Sequence, residues 1–195
     1  MNAALPNHLR RVVTDGSDRG EWMRARSRGI TATDVAKLST PRSIDSAAWE
    51  KLHGSSFTGN AFTRHGTERE PVIAAWVLRE HGIEPSRALF HAETDMRHLA
   101  TPDGLALREA GTLELAEIKT TNKAWRTIPR NYMRQIWWQQ YVLGAERTLM
   151  VWERHENFVP VGDPECRWVD RDENEIAKLV GLAGKLIETL YARTK

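Results

Sequence analysis

One short stretch constrains this chain more than any other. Between Thr101 and Lys119 the sequence reads Thr-Pro-Asp-Gly at 101–104, then Glu-Ile-Lys at 117–119, with a turn between. Leu105–Arg108 and Thr112–Lys119 have the composition of two strands. Glu109-Ala110-Gly111 between them makes a three-residue hairpin loop, with glycine last, where a left-handed backbone is wanted. With Ala110 at the centre, Arg108 faces Thr112, and counting outward sets Asp103 opposite Glu117. Directly opposed residues of an antiparallel pair have Cβ atoms roughly 4.5–5.5 Å apart. Two carboxylates at that distance repel unless something positive lies between them, and a hard divalent cation with oxygen ligands fits. A slip of one residue in register would put the two side chains on opposite faces. Pro102 has no N–H for a ladder, so the strand is expected to be irregular there.

Glu117 and Lys119 share a face of their strand, with Leu113 and Leu115 leading into them. Glu114, Ala116 and Ile118 lie on the other. Apolar residues on both faces predict an interior strand that turns polar only at its C-terminal end. A glutamate and a lysine buried there are costly unless they pair or bind something. A lysine beside a metal-bound water can hold it or help to deprotonate it while the carboxylates hold the metal. Taken singly, Pro-Asp-Gly is also an ordinary turn and Glu-x-Lys is often a solvated ion pair. Their order, the hairpin spacing and the apolar lead-in favour a site.

Composition sets the surroundings. A chain of 195 residues with 41% hydrophobic content suits one soluble domain, here taken as 1–195. The lone Cys166 excludes an internal disulfide and points to a reducing compartment, so a cytoplasmic location is expected. There is no apolar leader and no run long enough to cross a bilayer, so no membrane role is expected. The charge is uneven. Residues 70–118 carry four Lys+Arg against nine Asp+Glu, while 1–69 carry 11 against seven and 119–154 seven against two. An acidic block between two basic ones suits a metal beside a polyanion, though blocks of this size also arise by chance.

Before and after the hairpin the chain reads mainly as helix. Residues 1–18 look loosely ordered. Asp18 or Ser17 can cap a helix from Arg19 to about Ser27, and Thr33 or Thr31 can cap a second through Leu38. Arg24, Arg26 and Arg28 stand close to those hydroxyls, so this end could bind a phosphate or be a capped helix with solvated basic neighbours. Pro41 breaks the chain. Ile44–Leu52 reads as a short helix, Ser55–Gly59 as a loop, and Asn60–His81 as a longer helix closed by Gly82, with Pro71 kinking or dividing it. Arg87–Glu93 reads as a strand leading on through His98–Ala100. Asn122 can cap a short helix over Lys123–Thr127. Asn131–Leu143 is a helix closed by Gly144, with Gln135 and Gln139 on a polar line beside an apolar one; Arg130 and Arg134 could meet phosphates or face solvent. Trp137 and Trp138 suit core or interface positions. Leu149–Arg154, Asn157–Val161 and Arg167–Val169 read as strands. Asp170 then caps a last helix to about Arg193, whose apolar stripe carries no chemistry.

This order of elements, with Asp…Glu-x-Lys in the hairpin, resembles the restriction-endonuclease-like nucleases: an α/β fold with a central mixed β-sheet flanked by helices. The chain is further similar to the lambda exonuclease and YqaJ-type viral recombinase nucleases. Trp22–Thr33 resembles their opening motif and Gly66-Thr-Glu-Arg-Glu70-Pro71 their second. Thr101–Gly104 with Glu117-Ile118-Lys119 resembles the catalytic pair, and Tyr132-Met-Arg-Gln135 the helix that follows. The likeness covers about Glu21 to Gly144.

The resemblance implies a magnesium-dependent 5′-to-3′ exonuclease of the alkaline-exonuclease type, acting on linear double-stranded DNA. It would leave 3′ single strands for a phage-type single-strand annealing protein. Two Mg2+ ions per site are implied, with Mn2+ able to substitute. Carried over by position, Asp103, Glu117 and the Ile118 carbonyl hold metal, and Glu70 approaches a second metal or its water. Lys119 positions the attacking water, and Gln135 orients that water or the scissile phosphate. Arg26 with Thr33, joined by Arg28 and Thr31, would hold the 5′ phosphate. A homotrimeric ring around DNA is implied as well. The second glutamine that many relatives carry two residues after Gln135 is Trp137 here. An endonuclease or single-strand nuclease of the same fold, or a DNA-end-binding module with a decayed site, are the competing readings.

Overall fold

The computed structural model describes residues 6–54, 59–109 and 111–194. A 3-10 turn, Asn7–Arg11, leads into β1 (Val12–Thr14), α1 (Arg19–Ser27), β2 (Ile30–Thr31), α2 (Ala32–Lys37), α3 (Pro41–His53) and α4 (Ala61–His81). Then come β3 (Glu84–Pro85), β4 (Leu89–His91), β5 (His98–Ala100), β6 (Gly104–Leu107), β7 (Leu113–Thr121) and α5 (Arg130–Leu143). The chain closes with β8 (Arg147–Glu156), β9 (Val159–Pro160), β10 (Glu165–Asp170) and α6 (Glu173–Thr194).

The larger sheet is mixed, in the order β10-β8-β7-β6-β3, with β9 paired to β8. β7 is its interior strand, antiparallel to β6 and parallel to β8. As its alternation predicts, β7 is apolar on both sides. Leu113 and Leu115 enter the core shared with α2, α3, α5 and α6, while Ala116 and Ile118 pack with Ile73 and Val77 of α4. The sheet is thus a layer between α4 and the other helices. A smaller sheet, β1-β4-β5-β2, lies before it in the chain. The chain passes from the small sheet to the large one at Thr101–Pro102, between β5 and β6, so the proline stands where neither ladder needs its N–H.

Several expectations change in the fold. Of the N-terminal segment expected to be loose, residues 1–5 lie outside the described residues, and the 3-10 turn and β1 hold the part that follows. Val12 pairs with Phe90, and the buried Arg11 guanidinium donates to the carbonyls of Val142, Leu143 and His91. A cation at the C-terminal end of α5 meets unsatisfied carbonyls and the negative end of the helix dipole, which is what draws the segment in. Pro41 starts α3 rather than breaking the chain, at the first helical position where a missing N–H costs nothing. α4 runs through Pro71 as one helix, with Pro71 and Thr67, one turn before it, both on the exposed side, where losing one helix hydrogen bond costs least.

No helix forms over Lys123–Thr127. Five residues cannot support a helix alone, and the Lys123 N–H is taken at 3.0 Å by the Thr121 hydroxyl. Asp170 is the last residue of β10, paired with Arg147, so Asp172 caps α6 instead, accepting from the Glu175 N–H at 3.0 Å. Only Leu89–His91 of the strand expected at 87–93 is extended, and only Val159–Pro160 of that expected at 157–161. Of the loop expected at Ser55–Gly59, all but Gly59 lies outside the described residues, as does Ala110. No helix among the described residues is long and apolar enough to cross a membrane.

Candidate active site

β7 and its partner β6 build the centre. Leu107 pairs with Leu113 and Gly104 with Ala116, the register expected from the loop, and the regular pairing ends there, one residue short of Asp103 and Glu117. Gly111 has φ +78°, the left-handed turn position that a Cβ would strain. Just before β6 the strand turns irregular, as Pro102 leads one to expect: the Asp103 N–H donates to the carbonyl of Ala116, the partner of Gly104, at 3.1 Å. The Asp103 Oδ2 then accepts the Ile118 N–H at 2.7 Å. That bond turns the aspartate over the strand, toward Glu117.

Glu117 is 3% exposed. Its Oε2 accepts from the Gln139 side-chain N–H at 2.7 Å, and its Oε1 accepts from the Lys119 ammonium. The same ammonium donates to the Ile118 carbonyl at 3.0 Å and lies 5.7 Å from the centroid of the Tyr132 ring. Burial pushes the Asp103 carboxyl far above its ordinary range, and the Glu117 charge pushes it further, with Glu70 adding to the effect. Lys119 and the Ile118 N–H oppose this without reversing it. Burial also works against the Lys119 ammonium, but Glu117 and Asp103 outweigh it and raise the lysine above its ordinary value.

These groups call for a cation. The donors are the Asp103 and Glu117 carboxylates and the Ile118 carbonyl, all hard oxygens. The Lys119 ammonium rests on two of the three, where a cation's charge is wanted. Among the described residues no cluster of three or more His, Cys, Asp or Glu side chains is placed to cage a metal. A metal held here would complete its shell with water and substrate, which suits Mg2+, an ion that usually keeps several waters. The donor set therefore fits the implied metal.

A cleft of about 310 Å³ opens onto this centre, with Asp103, Glu117, Lys119, Gln135 and Gln139 on one wall and Arg26, Thr31 and Thr33 on the other. The last three are placed there by α1 and α2. Asp18 caps α1, accepting from Gly20 and Glu21. Arg26, in its last turn, stacks 4.8 Å from the centroid of Trp22 and donates to the Thr33 hydroxyl at 2.8 Å. Thr31, not Thr33, caps α2; its hydroxyl accepts the Asp34 N–H and donates to the Asp34 carboxylate at 2.8 Å, so it is already engaged.

Two expected participants stand apart from this cleft. Arg28 lines a different groove, with Lys51, Leu52 and Tyr191. Glu70 lies on α4 in a second cleft, which shares Lys119 with the first. It reaches the centre from the other side of the lysine, and its charge is felt at Asp103. Trp137 and Trp138 are core residues. Arg130 makes a surface ion pair with Glu175, its side chain 59% exposed, and Arg134 donates to the Ala36 carbonyl.

The residue that sequence reasoning missed is Gln139. Its signal was the four-residue spacing from Gln135, which puts both on one face of α5. It is 2% exposed and holds Glu117. Partners of metal-binding carboxylates typically matter 10–100-fold in metal affinity or activity. Gln139→Ala is therefore expected to weaken magnesium activation by about tenfold with little change in DNA affinity. A magnesium titration of activity, set beside DNA binding, measures both.

The YqaJ-like viral recombinase domain matches residues 21–146. This chain belongs to that family. All the motifs that carry the resemblance fall within the matched YqaJ-like segment, and the α5 helix bearing Gln139 ends inside it. The fold of this YqaJ-like protein is the restriction-endonuclease-like one of the alkaline exonucleases. It superposes on the alkaline exonuclease LHK-Exo from Laribacter hongkongensis with a TM-score of 0.71 at 24% identity, over 89% of this chain and 93% of that one. The same enzyme in complex with dAMP gives 0.70 at 25% identity, over the same 89% and 93%. A phage-related exonuclease from Haemophilus somnus 129PT gives 0.59 at 12% identity, over 86% of this chain and 96% of that one. No curated protein sequence matches the YqaJ-like chain.

Proposed function

We propose that this protein is a magnesium-dependent deoxyribonuclease that digests linear double-stranded DNA from its 5′ ends. Supporting this is one observation above all: Asp103, Glu117 and Lys119 face the same cleft as the Arg26–Thr33 pair. A hydrolytic centre and a phosphate-sized basic pocket opposite each other suit removal of a terminal nucleotide. The solved complex of LHK-Exo with dAMP, a product-like mononucleotide, agrees with that class of ligand.

In this reading Asp103, Glu117 and the Ile118 carbonyl hold Mg2+, with Glu70 toward a second ion, and Mn2+ substitutes. Bound metal would supply Lewis acidity at the attacking and leaving oxygens of an in-line displacement. The chain's own groups do the rest. Lys119 orients the water and stabilises charge as it gathers on the phosphoryl oxygens. The P–O bond to the leaving 3′ oxygen breaks as water's oxygen bonds to phosphorus, which releases a 5′-phosphorylated nucleotide. Gln135, on the wall of the cleft, orients the water or the phosphate. Gln139 keeps Glu117 turned toward the metal. Arg26 and Thr33 receive the 5′ phosphate of the end.

The products would be 3′ single-stranded tails, substrates for a single-strand annealing protein in the cytoplasm of a bacterium or phage-infected cell. A homotrimeric ring would keep the enzyme on its duplex. The testing experiment is digestion of linear duplex, labelled at either end, with and without magnesium, beside a closed circle. Loss of 5′ label with the circle spared supports the reading, whereas cutting of the circle replaces it with an endonuclease. In the same assay Arg26→Ala is expected to slow digestion of 5′-phosphorylated ends by about tenfold, the scale of one charge-assisted contact, and unphosphorylated ends far less. Equal loss on both ends argues against the phosphate pocket.

A further inference from the structure

Lys119 stands at the join of two clefts, and the catalytic reading uses only the inner end of the second, at Ile118 and Glu70. The second, of about 390 Å³, runs from Ile118, Lys119 and Glu70 out to Thr63 and Phe62. Phe62, 48% exposed, lines this cleft, and Phe158, 40% exposed, stands beside it, with the ring centroids 5.1 Å apart, edge to face. The two rings come from separate elements: Phe62 from the first turn of α4, Phe158 from the turn between β8 and β9.

The turn that presents Phe158 is the two-residue hairpin loop between β8 and β9. Asn157 has φ +49° and Phe158 φ +66°, the left-handed conformation that such a turn needs at both positions and that a residue as bulky as phenylalanine rarely adopts. Here it holds an apolar ring in solvent. The ring is also backed. His155, 2% exposed, stacks under Phe158 at 19° with centroids 5.3 Å apart, and the buried His65 ring meets both. Set edge to face beside a cleft that ends at Lys119, the two exposed rings offer a flat π system the face of one and the edge of the other.

We propose that Phe62 and Phe158 form a stacking platform for a nucleobase of the strand being cut, on the far side of the scissile phosphate from Arg26. The platform rests on the nuclease reading above. With the terminal phosphate at Arg26–Thr33 and the scissile phosphate at Lys119, the next nucleotide enters the second cleft and lays its base on the rings. Stacking tolerates any sequence, because every base has a π face. An enzyme that removes nucleotides one after another needs that tolerance.

The test uses 5′-phosphorylated duplexes with 2-aminopurine placed second, third or tenth from the 5′ end, bound in the absence of divalent metal. Stacking is expected to change the fluorescence at the second or third position and leave the tenth unaltered. The Phe62→Leu, Phe158→Leu double variant is expected to lose that change and to bind ends about tenfold more weakly, the scale of one stacked base. The Phe62→Tyr, Phe158→Tyr variant, which keeps both π faces, is expected to behave as wild type. A leucine variant that matches wild type in fluorescence and affinity overturns the platform alone. Wild-type protein that neither binds duplex ends nor, given magnesium, cleaves them overturns the nuclease reading and the platform with it.

Discussion

Lys119→Ala is expected to lower the single-turnover rate of DNA cleavage by about 10²–10³-fold, the loss typical when one donor to a developing charge is removed, while duplex binding persists. The reason lies in where the ammonium sits. It is charged despite burial, because Glu117 and Asp103 face it, and it reaches both the Glu117 carboxylate and the Ile118 carbonyl. A group so placed can orient a water beside those oxygens only if it stays protonated and close. The duplex itself would be held mainly by groups outside the centre, Arg26 among them, so affinity for ends should survive. Removing the ammonium also leaves two carboxylates with less compensation, so a thermal melt must accompany the kinetics. Single-turnover digestion beside filter binding separates chemistry from affinity. A Lys119→Ala protein that turns over at the wild-type rate refutes the assignment.

Asp103→Asn should abolish cleavage and give a second, independent signature in stability. In the metal-free protein the half-buried aspartate loses hydration and faces the Glu117 charge, which is why its carboxyl is pushed upward toward the neutral form. The isosteric amide removes that repulsion and still offers an oxygen to the Ile118 N–H. The metal-free variant should therefore melt at or above the wild-type temperature. Magnesium reverses the order. A ligand that binds only the folded state stabilises it by about 2.7 kcal/mol at a hundred times its Kd. Wild type should gain on that scale as magnesium is raised, and the variant should not. Thermal melts across a magnesium series measure the difference without any DNA present. A variant that gains as much as wild type refutes Asp103 as a ligand.

The catalytic hairpin was legible because its determinants are local. Gly111 supplies the left-handed turn residue, and Leu113, Leu115, Ala116 and Ile118 alternate between two cores, so the count from Arg108–Thr112 to Gly104–Ala116 had little freedom. α1, α4 and α5 were legible for a similar reason, with Asp18, Asn60, Gly82 and Gly144 at their ends. The small sheet was harder to see. β1 and β2 are three and two residues long, too short for alternation to register, and β1 pairs with a strand beyond α4 in sequence. The Lys123–Thr127 segment misled because a good cap was followed by too few residues to repay helix nucleation.

The sequence by itself determined the family, the strand register of the centre and the residue types that meet there, since turn chemistry and two-residue periodicity act over a few positions. Only the tertiary structure decided which polar groups share the cleft. Gln139 reaches Glu117 because α5 packs over β7, Glu70 approaches from the far side of Lys119 because α4 covers the opposite face, and Arg28 turns away into another groove while Arg26, two residues earlier, turns in. Each of these depends on how a helix is rotated and seated against the sheet. That is settled by the packing of whole faces, across separations that no local pattern can span.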